Sequence, residues 1–149
     1  MKLLEGKVAI VTGAARGIGE GIVLKFAEHG AHVAFTYVSD SSADRAKGLE
    51  EKVNAQGTKC KSYKANAGDY AQCESFVNDV MKEFGTVDIC VNNAGISKDN
   101  LLLRMTPDQW DEVMQVNLKF LRDRCPHRAH GKIRNWFSET MQKNDAFER

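Results

Sequence analysis

Val8-Ala9-Ile10-Val11-Thr12-Gly13-Ala14-Ala15-Arg16-Gly17-Ile18-Gly19 is the stretch from which the fold of this 149-residue chain follows. A short apolar run ends in Thr12, glycines stand at 13, 17 and 19, and an apolar pattern at helical spacing begins at Ile18. A buried strand that feeds a glycine-rich turn and then a helix forms a nucleotide phosphate site. Glycines let the backbone turn sharply and let phosphate oxygens approach without meeting a Cβ. The free N–H groups at the helix start face the negative charge.

Outward from this stretch, strand and helix patterns alternate. Lys7 to Thr12 reads as the first strand, continuously apolar as in a parallel strand covered on both faces. A helix is expected from Gly17 to His29, with Ile18, Ile22, Val23 and Phe26 on its buried face and Gly30 as its stop. His32 to Val38 reads as the second strand. Ser41 or Ser42 is placed to cap a helix over 43–55 that buries Ala46, Leu49 and Val53. Lys59 to Ala65 is the third strand. Asp69 is placed to cap a helix with a stripe of Cys73, Phe76, Val77, Val80, Met81 and Phe84, ended by Gly85. Val87 to Val91 is the fourth strand. Thr106-Pro107-Asp108 opens one more helix, with Trp110, Val113, Met114 and Asn117 along one face and Leu121 one turn further. The alternation predicts an α/β fold: part of a doubly wound (Rossmann) parallel sheet of strand order 3-2-1-4, joined by right-handed crossovers.

Two further signals accompany the glycine loop. Asn92-Asn93-Ala94-Gly95 follows the fourth strand, and Val116-Asn117-Leu118 comes later, Asn117 lying 22 residues after Gly95. Together the three resemble the short-chain dehydrogenase/reductase family over residues 3–119. The segment Asp99-Asn100-Leu101-Leu102-Leu103-Arg104-Met105, with Trp110, is most similar to bacterial 3-oxoacyl-acyl-carrier-protein reductases.

The resemblance implies a role for each motif. Thr12, Gly13, Ala15, Arg16, Gly17, Ile18 and Gly19 would hold the cofactor pyrophosphate. Arg16 would pair with the extra phosphate of NADP; otherwise it is a solvated loop arginine. Relatives that prefer NAD end the second strand with an acidic residue, whereas Tyr37 stands here and the nearest carboxylate, Asp40, lies three residues on. NADP, as NADPH, is therefore the expected cofactor. Asn66 and Ala67 would contact the adenine. Asn93, Ala94 and Gly95 would admit the ribose, with Asn92 tying neighbouring strands. Asn117 matches the catalytic asparagine, which bends its helix and holds a water in a proton relay. The implied reaction moves hydride from NADPH to a β-ketoacyl thioester on acyl-carrier protein, in fatty-acid synthesis, within a homotetramer.

The same resemblance exposes what these residues lack. The family's acid is a tyrosine whose pKa is lowered by a lysine four residues on. The tyrosines here, Tyr37, Tyr63 and Tyr70, are followed at that spacing by Ser41, Ala67 and Glu74. The chain as written is expected not to turn over; the alternative is a non-catalytic NADP-binding module with a basic interaction tail. Residues 1–119 form the dinucleotide-binding domain and 120–149 an atypical tail, for which a frameshift near Lys119 or Phe120 and a genuine new C-terminus compete.

Composition agrees with one ordinary globular domain. The apolar fraction is 42%, the charged fraction 28% and the net charge +1, which favours no particular partner. Residues 1–117 carry 13 Lys and Arg against 16 Asp and Glu, and residues 118–149 carry 8 against 4, a shift that marks a basic tail. Cys60, Cys73, Cys90 and Cys125 form no CxxC pair, and three fall in elements, so free buried thiols and a reducing cytoplasm are expected. No signal peptide or membrane span is evident. Cys125, His127 and His130 are too few for a zinc site. The basic residues near Trp136 and Phe137 read as a solvated tail, not a nucleic-acid contact. Without further strands the fourth strand is an apolar sheet edge, an association hazard that light scattering would reveal.

Overall fold

The computed structural model describes residues 2–99 and 101–119. The elements run β1 (Val8–Val11), α1 (Gly17–Glu28), β2 (His32–Tyr37), α2 (Ala43–Asn54), β3 (Cys60–Lys64), α3 (Tyr70–Phe84), β4 (Ile89–Val91) and α4 (Pro107–Met114). The four strands form one parallel sheet in the order β3-β2-β1-β4. This is the expected partial doubly wound sheet, with each strand a residue or two shorter than its apolar run. The tail expectations for residues 120–149, with Leu121, Pro126 and Cys125, lie outside the described residues.

Continuous apolarity in β1 and β2 follows from a core on each face of the sheet. Successive strand side chains point to opposite faces. Val11, Val33 and Phe35 pack with Val23 of α1 and Leu49 and Val53 of α2. Ile10 and Ala34 pack on the other side with Phe76 and Val80 of α3. Val11, Val33 and Phe35 are fully buried, each contributing about 1.5–3 kcal/mol against exposure.

The helices begin and end where their sequence says, with two exceptions in detail. The Asp69 side chain accepts from the Gln72 amide and Gly85, left-handed, closes α3. Thr106 and Gln109 form a reciprocal capping box with Pro107 at the first position of α4. Ser42 occupies the N-cap of α2 but makes no capping bond, because its hydroxyl meets Ser39 Oγ instead, at 2.8 Å. Ile18 does not share the buried face of α1. It is 81% exposed, since it stands in the first turn, whereas the row that meets the sheet is Gly19, Val23 and Ala27.

Beyond β4 the cover thins. Ile89, Cys90 and Val91 are only half-buried, and among the described strands β4 pairs with β1 alone. α4 contains no buried residue, so the face carrying Trp110 and Met114 is exposed. Cys60 and Cys73 are buried, Cys90 is half-buried, and no disulfide joins them among the described residues. Among the described residues no helix is long and apolar enough to cross a membrane.

Candidate functional site

The glycine loop is held by side chains from the two neighbouring strands. Thr12, 4% exposed, accepts at Oγ1 from the Asn93 and Ala94 amides, at 3.1 and 3.0 Å. Asn93 Nδ2 donates back to the Thr12 and Gly13 carbonyls, at 3.0 and 3.1 Å. Thr36 of β2 takes the Gly13 amide on its Oγ1 at 3.0 Å and the Ala14 amide on its carbonyl at 2.9 Å. The strand tie after β4 is therefore made by Asn93. Asn92 is engaged differently, its Oδ1 3.9 Å from Cys90 Sγ. Its side chain follows the alternation of β4 away from the loop.

This stapling brings backbones too close for side chains. A Cβ on Gly19 would lie 2.6 Å from Asn93 Nδ2 and 2.7 Å from Ala14 Cα. A Cβ on Gly13, whose φ is +63°, would meet Ala94 Cα at 2.9 Å. Gly17 differs: its φ is +62° but nothing stands within 4 Å of its Cβ position.

The loop forms one wall of a groove of ≈ 450 Å³ across the C-terminal ends of all four strands. Gly13, Ala15 and Arg16 come from the β1 side, Tyr37, Val38, Ser39 and Ser42 from the β2 side, and Asn66 and Ala67 from the end of β3. Asn93, Ala94, Gly95 and Ile96 follow β4, while Glu112 and Val116 close the far side. The groove crosses the junction of β1 and β4, where strand order reverses, the usual ligand crevice of an open α/β sheet. Of the expected site residues it gathers Gly13, Ala15, Arg16, Tyr37, Asn66, Ala67, Asn93, Ala94 and Gly95. Thr12 and Gly19 lie beneath, as supports. Gly17 and Ile18 open α1, whose N-cap, Arg16, supplies no side-chain capping bond. Asn66 uses its Oδ1 on the Gly68 amide, at 2.8 Å.

Asn117 lies apart from the groove wall but touches it through Ile96. Its Oδ1 accepts from the Ile96 amide and its Nδ2 donates to the Ile96 carbonyl, both at 2.8 Å. It sits in a π-helical turn, Gln115–Lys119, a distortion that recurs at functional sites. The groove's carboxylate, Glu112, is paired with Lys98 at 3.0 Å. At the β2 end, the Asp40 carboxylate beside Lys64 holds its ammonium above the ordinary lysine range.

Sequence reading missed Thr36, Val38, Ser39, Ser42, Ile96, Glu112 and Val116. Only Thr36 left a signal, a polar residue in an otherwise apolar strand. The others are brought in by the ends of elements, which pattern does not locate.

The model of the short chain dehydrogenase family matches residues 7–121. The chain belongs to the short-chain dehydrogenase family. The 3-oxoacyl-[acyl-carrier-protein] reductase FabG of Staphylococcus epidermidis is 44% identical over 113 residues, covering 76% of this chain and 46% of its own length. The NADP-dependent mannitol dehydrogenase of Alternaria alternata is 46% identical over 119 residues, 77% of this chain and 44% of its own. Among solved structures, a blue fluorescent protein from a metagenomic library in complex with NADPH superposes with TM-score 0.77 at 40% identity, over 80% of this chain and 48% of that one. A short-chain dehydrogenase from Burkholderia cenocepacia in complex with NADP gives 0.76 at 38%, with the same coverage. This short-chain dehydrogenase chain thus spans about half the length of the relatives it matches.

Proposed function

We propose that this chain is the NADP-binding portion of a short-chain reductase, with the groove at the strand ends as the dinucleotide site. The observation that carries it is the α1 N-terminus. It opens on the groove with no side-chain cap, so its first N–H groups lack intrahelical partners and suit a phosphate. Gly17, the first residue of α1, has nothing within 4 Å of its Cβ position, so no neighbouring atom crowds the helix start. When bound, NADPH supplies the hydride. Gly13, Gly17 and the α1 N-terminus hold the pyrophosphate, Arg16 meets the extra phosphate, Asn66 and Ala67 flank the adenine, and Asn93 to Gly95 leave room for the ribose. Asn117 bonds Ile96 through both its side-chain oxygen and nitrogen, so it fixes the loop after β4 and still keeps one donor and one lone pair. The relay water that the family likeness implies stays with Asn117.

For the complete protein we place 3-oxoacyl thioesters of acyl-carrier protein first, supported by the FabG relatives. The similar identity to a mannitol dehydrogenase means that this half speaks for the cofactor more strongly than for the substrate. The 149 residues contain no Tyr-x-x-x-Lys, so by themselves they supply no acid for the carbonyl oxygen.

Titration of NADPH into the 149-residue chain, followed by nucleotide fluorescence, should show saturable binding. Arg16→Ala should weaken it about tenfold, the scale of one charge-assisted bond. With a β-ketoacyl thioester added, NADPH absorbance should stay constant. Absence of binding sinks the cofactor assignment. Oxidation that Asn117→Ala abolishes sinks the claim of inactivity.

A further inference from the structure

Asp40 is the first carboxylate after β2, next to Val38, Ser39 and Ser42, which line the groove. A free carboxylate at this rim would accept bonds from the vicinal hydroxyls of a ribose and repel a phosphate carried on it. Asp40 is not free. Its Oδ1 lies 2.6 Å from Lys64 Nζ. The parallel register explains the meeting: Tyr37 pairs with Lys64, so β2 and β3 end side by side. Alternation then puts Lys64 on the face of β3 shared by Cys60 and Ser62, the face that packs toward α2 through Glu50. Beside this pair, Ser39 Oγ meets Ser41 Oγ at 2.9 Å and Ser42 Oγ at 2.8 Å. The β2 end of the groove therefore presents Ser39 and Ser42, with Arg16 also on the groove wall, while the neighbouring Asp40 carboxylate is turned to Lys64.

We infer that Lys64 is a positioning residue for cofactor choice: by holding Asp40 it removes the carboxylate that would oppose a 2′-phosphate at this end of the groove. The inference rests on the NADP reading, and deepens it by naming a residue outside the groove wall that sets selectivity. Lys64 acts through Asp40 and not as a phosphate ligand.

The test is the ratio of affinities for 2′,5′-ADP and 5′-AMP, measured by calorimetry on the 149-residue chain. Lys64→Met should lower that preference about fivefold, the upper range for an exposed ion pair. Lys64→Arg, which keeps the pair, should retain it. Asp40→Asn should leave the preference intact, and the double variant Asp40→Asn with Lys64→Met should recover it, because the carboxylate that does harm is gone. Both side chains are more than half exposed, so these variants should keep the native circular dichroism. An unchanged ratio in Lys64→Met, with binding retained, overturns this inference alone. A double variant as impaired as Lys64→Met also overturns it, since Lys64 would then contact the phosphate itself. Failure of the unaltered chain to bind either nucleotide overturns both this inference and the NADP reading.

Discussion

Gly19 shows how much of the site is decided by single atoms. The Cβ that Gly19→Val adds has backbone at 2.7 and 2.8 Å, from Ala14 Cα and Gly13 O, besides the Asn93 amide. Backbone cannot swing aside, so the variant should lose about 1–3 kcal/mol, read from urea unfolding, and weaken NADPH binding as the loop shifts. Loss of binding with unchanged stability would contradict the packing role. The glycine spacing was legible from residue order because Asn92-Asn93-Ala94-Gly95 and Val116-Asn117-Leu118 follow it at set separations; glycine turns between a strand and a helix are common by themselves. The reason for each glycine was not. Gly13 and Gly19 are close-approach positions against Ala94 and Asn93, more than seventy residues away. Likewise Asn93, not Asn92, ties the strands, a choice that depends on which way the chain faces as it leaves β4.

At the scale of elements, the two outer strands of the described sheet are treated differently. β3 carries Lys59, Lys61 and Lys64 along or beside it, and such charges discourage pairing with another chain. Lys59 and Lys61 both reach Glu83, so α3 also anchors that edge. β4 has only Ile89, Cys90 and Val91, with no such guard among the described residues. α4 is the other weakly attached element. Its helix rests on the capping box of Thr106 and Gln109 rather than on burial. Thr106→Ala should therefore cost about 1 kcal/mol, and the loss should stay local. Amide hydrogen exchange should speed up in α4 while β1 and β2 keep their protection. Equal acceleration in the central strands would show that α4 is coupled to the core. Caps were readable because they depend on residues three apart. The exposure of Trp110 and Met114 was not, since periodicity reports which residues share a face and not whether anything lies against it.

For the molecule as a whole, burial in the two cores makes stability depend on alkaline pH. Cys60 is pushed up from 9.0 to about 12, first by burial and then by the nearby Glu50 carboxylate. Tyr63 moves from 10.0 to about 12, again first by burial and then by Glu83. Among the described residues its shielded hydroxyl has no hydrogen-bond partner, and its ring packs edge-on against Phe76, 5.2 Å between centroids. Both groups hold their protons longer in the folded chain than in the unfolded one, so the stabilisation is complete below the unfolded values and is lost as pH rises through the folded ones. Urea midpoints should be flat up to about pH 9 and fall toward about pH 12. Cys60→Ala should shallow that fall, although its cavity lowers the midpoint at neutral pH. An identical slope in the variant would remove Cys60 from the account.

Residue order alone was enough for the strand order, the helix bounds, the caps at Asp69 and Thr106 and the position of the glycine loop. The caps and helix bounds rest on residues close in sequence, and the strand order on the strand–helix alternation that builds a doubly wound parallel sheet. Contacts between distant residues decided the rest. Thr36 and Asn93 bind the loop from two other strands, Ile18 is left outside the core, and Asn117 is committed to Ile96. Lys64 meets Asp40 only because β2 and β3 run parallel and end in register. Such pairings depend on where separate elements finish in space, and local pattern carries no record of that.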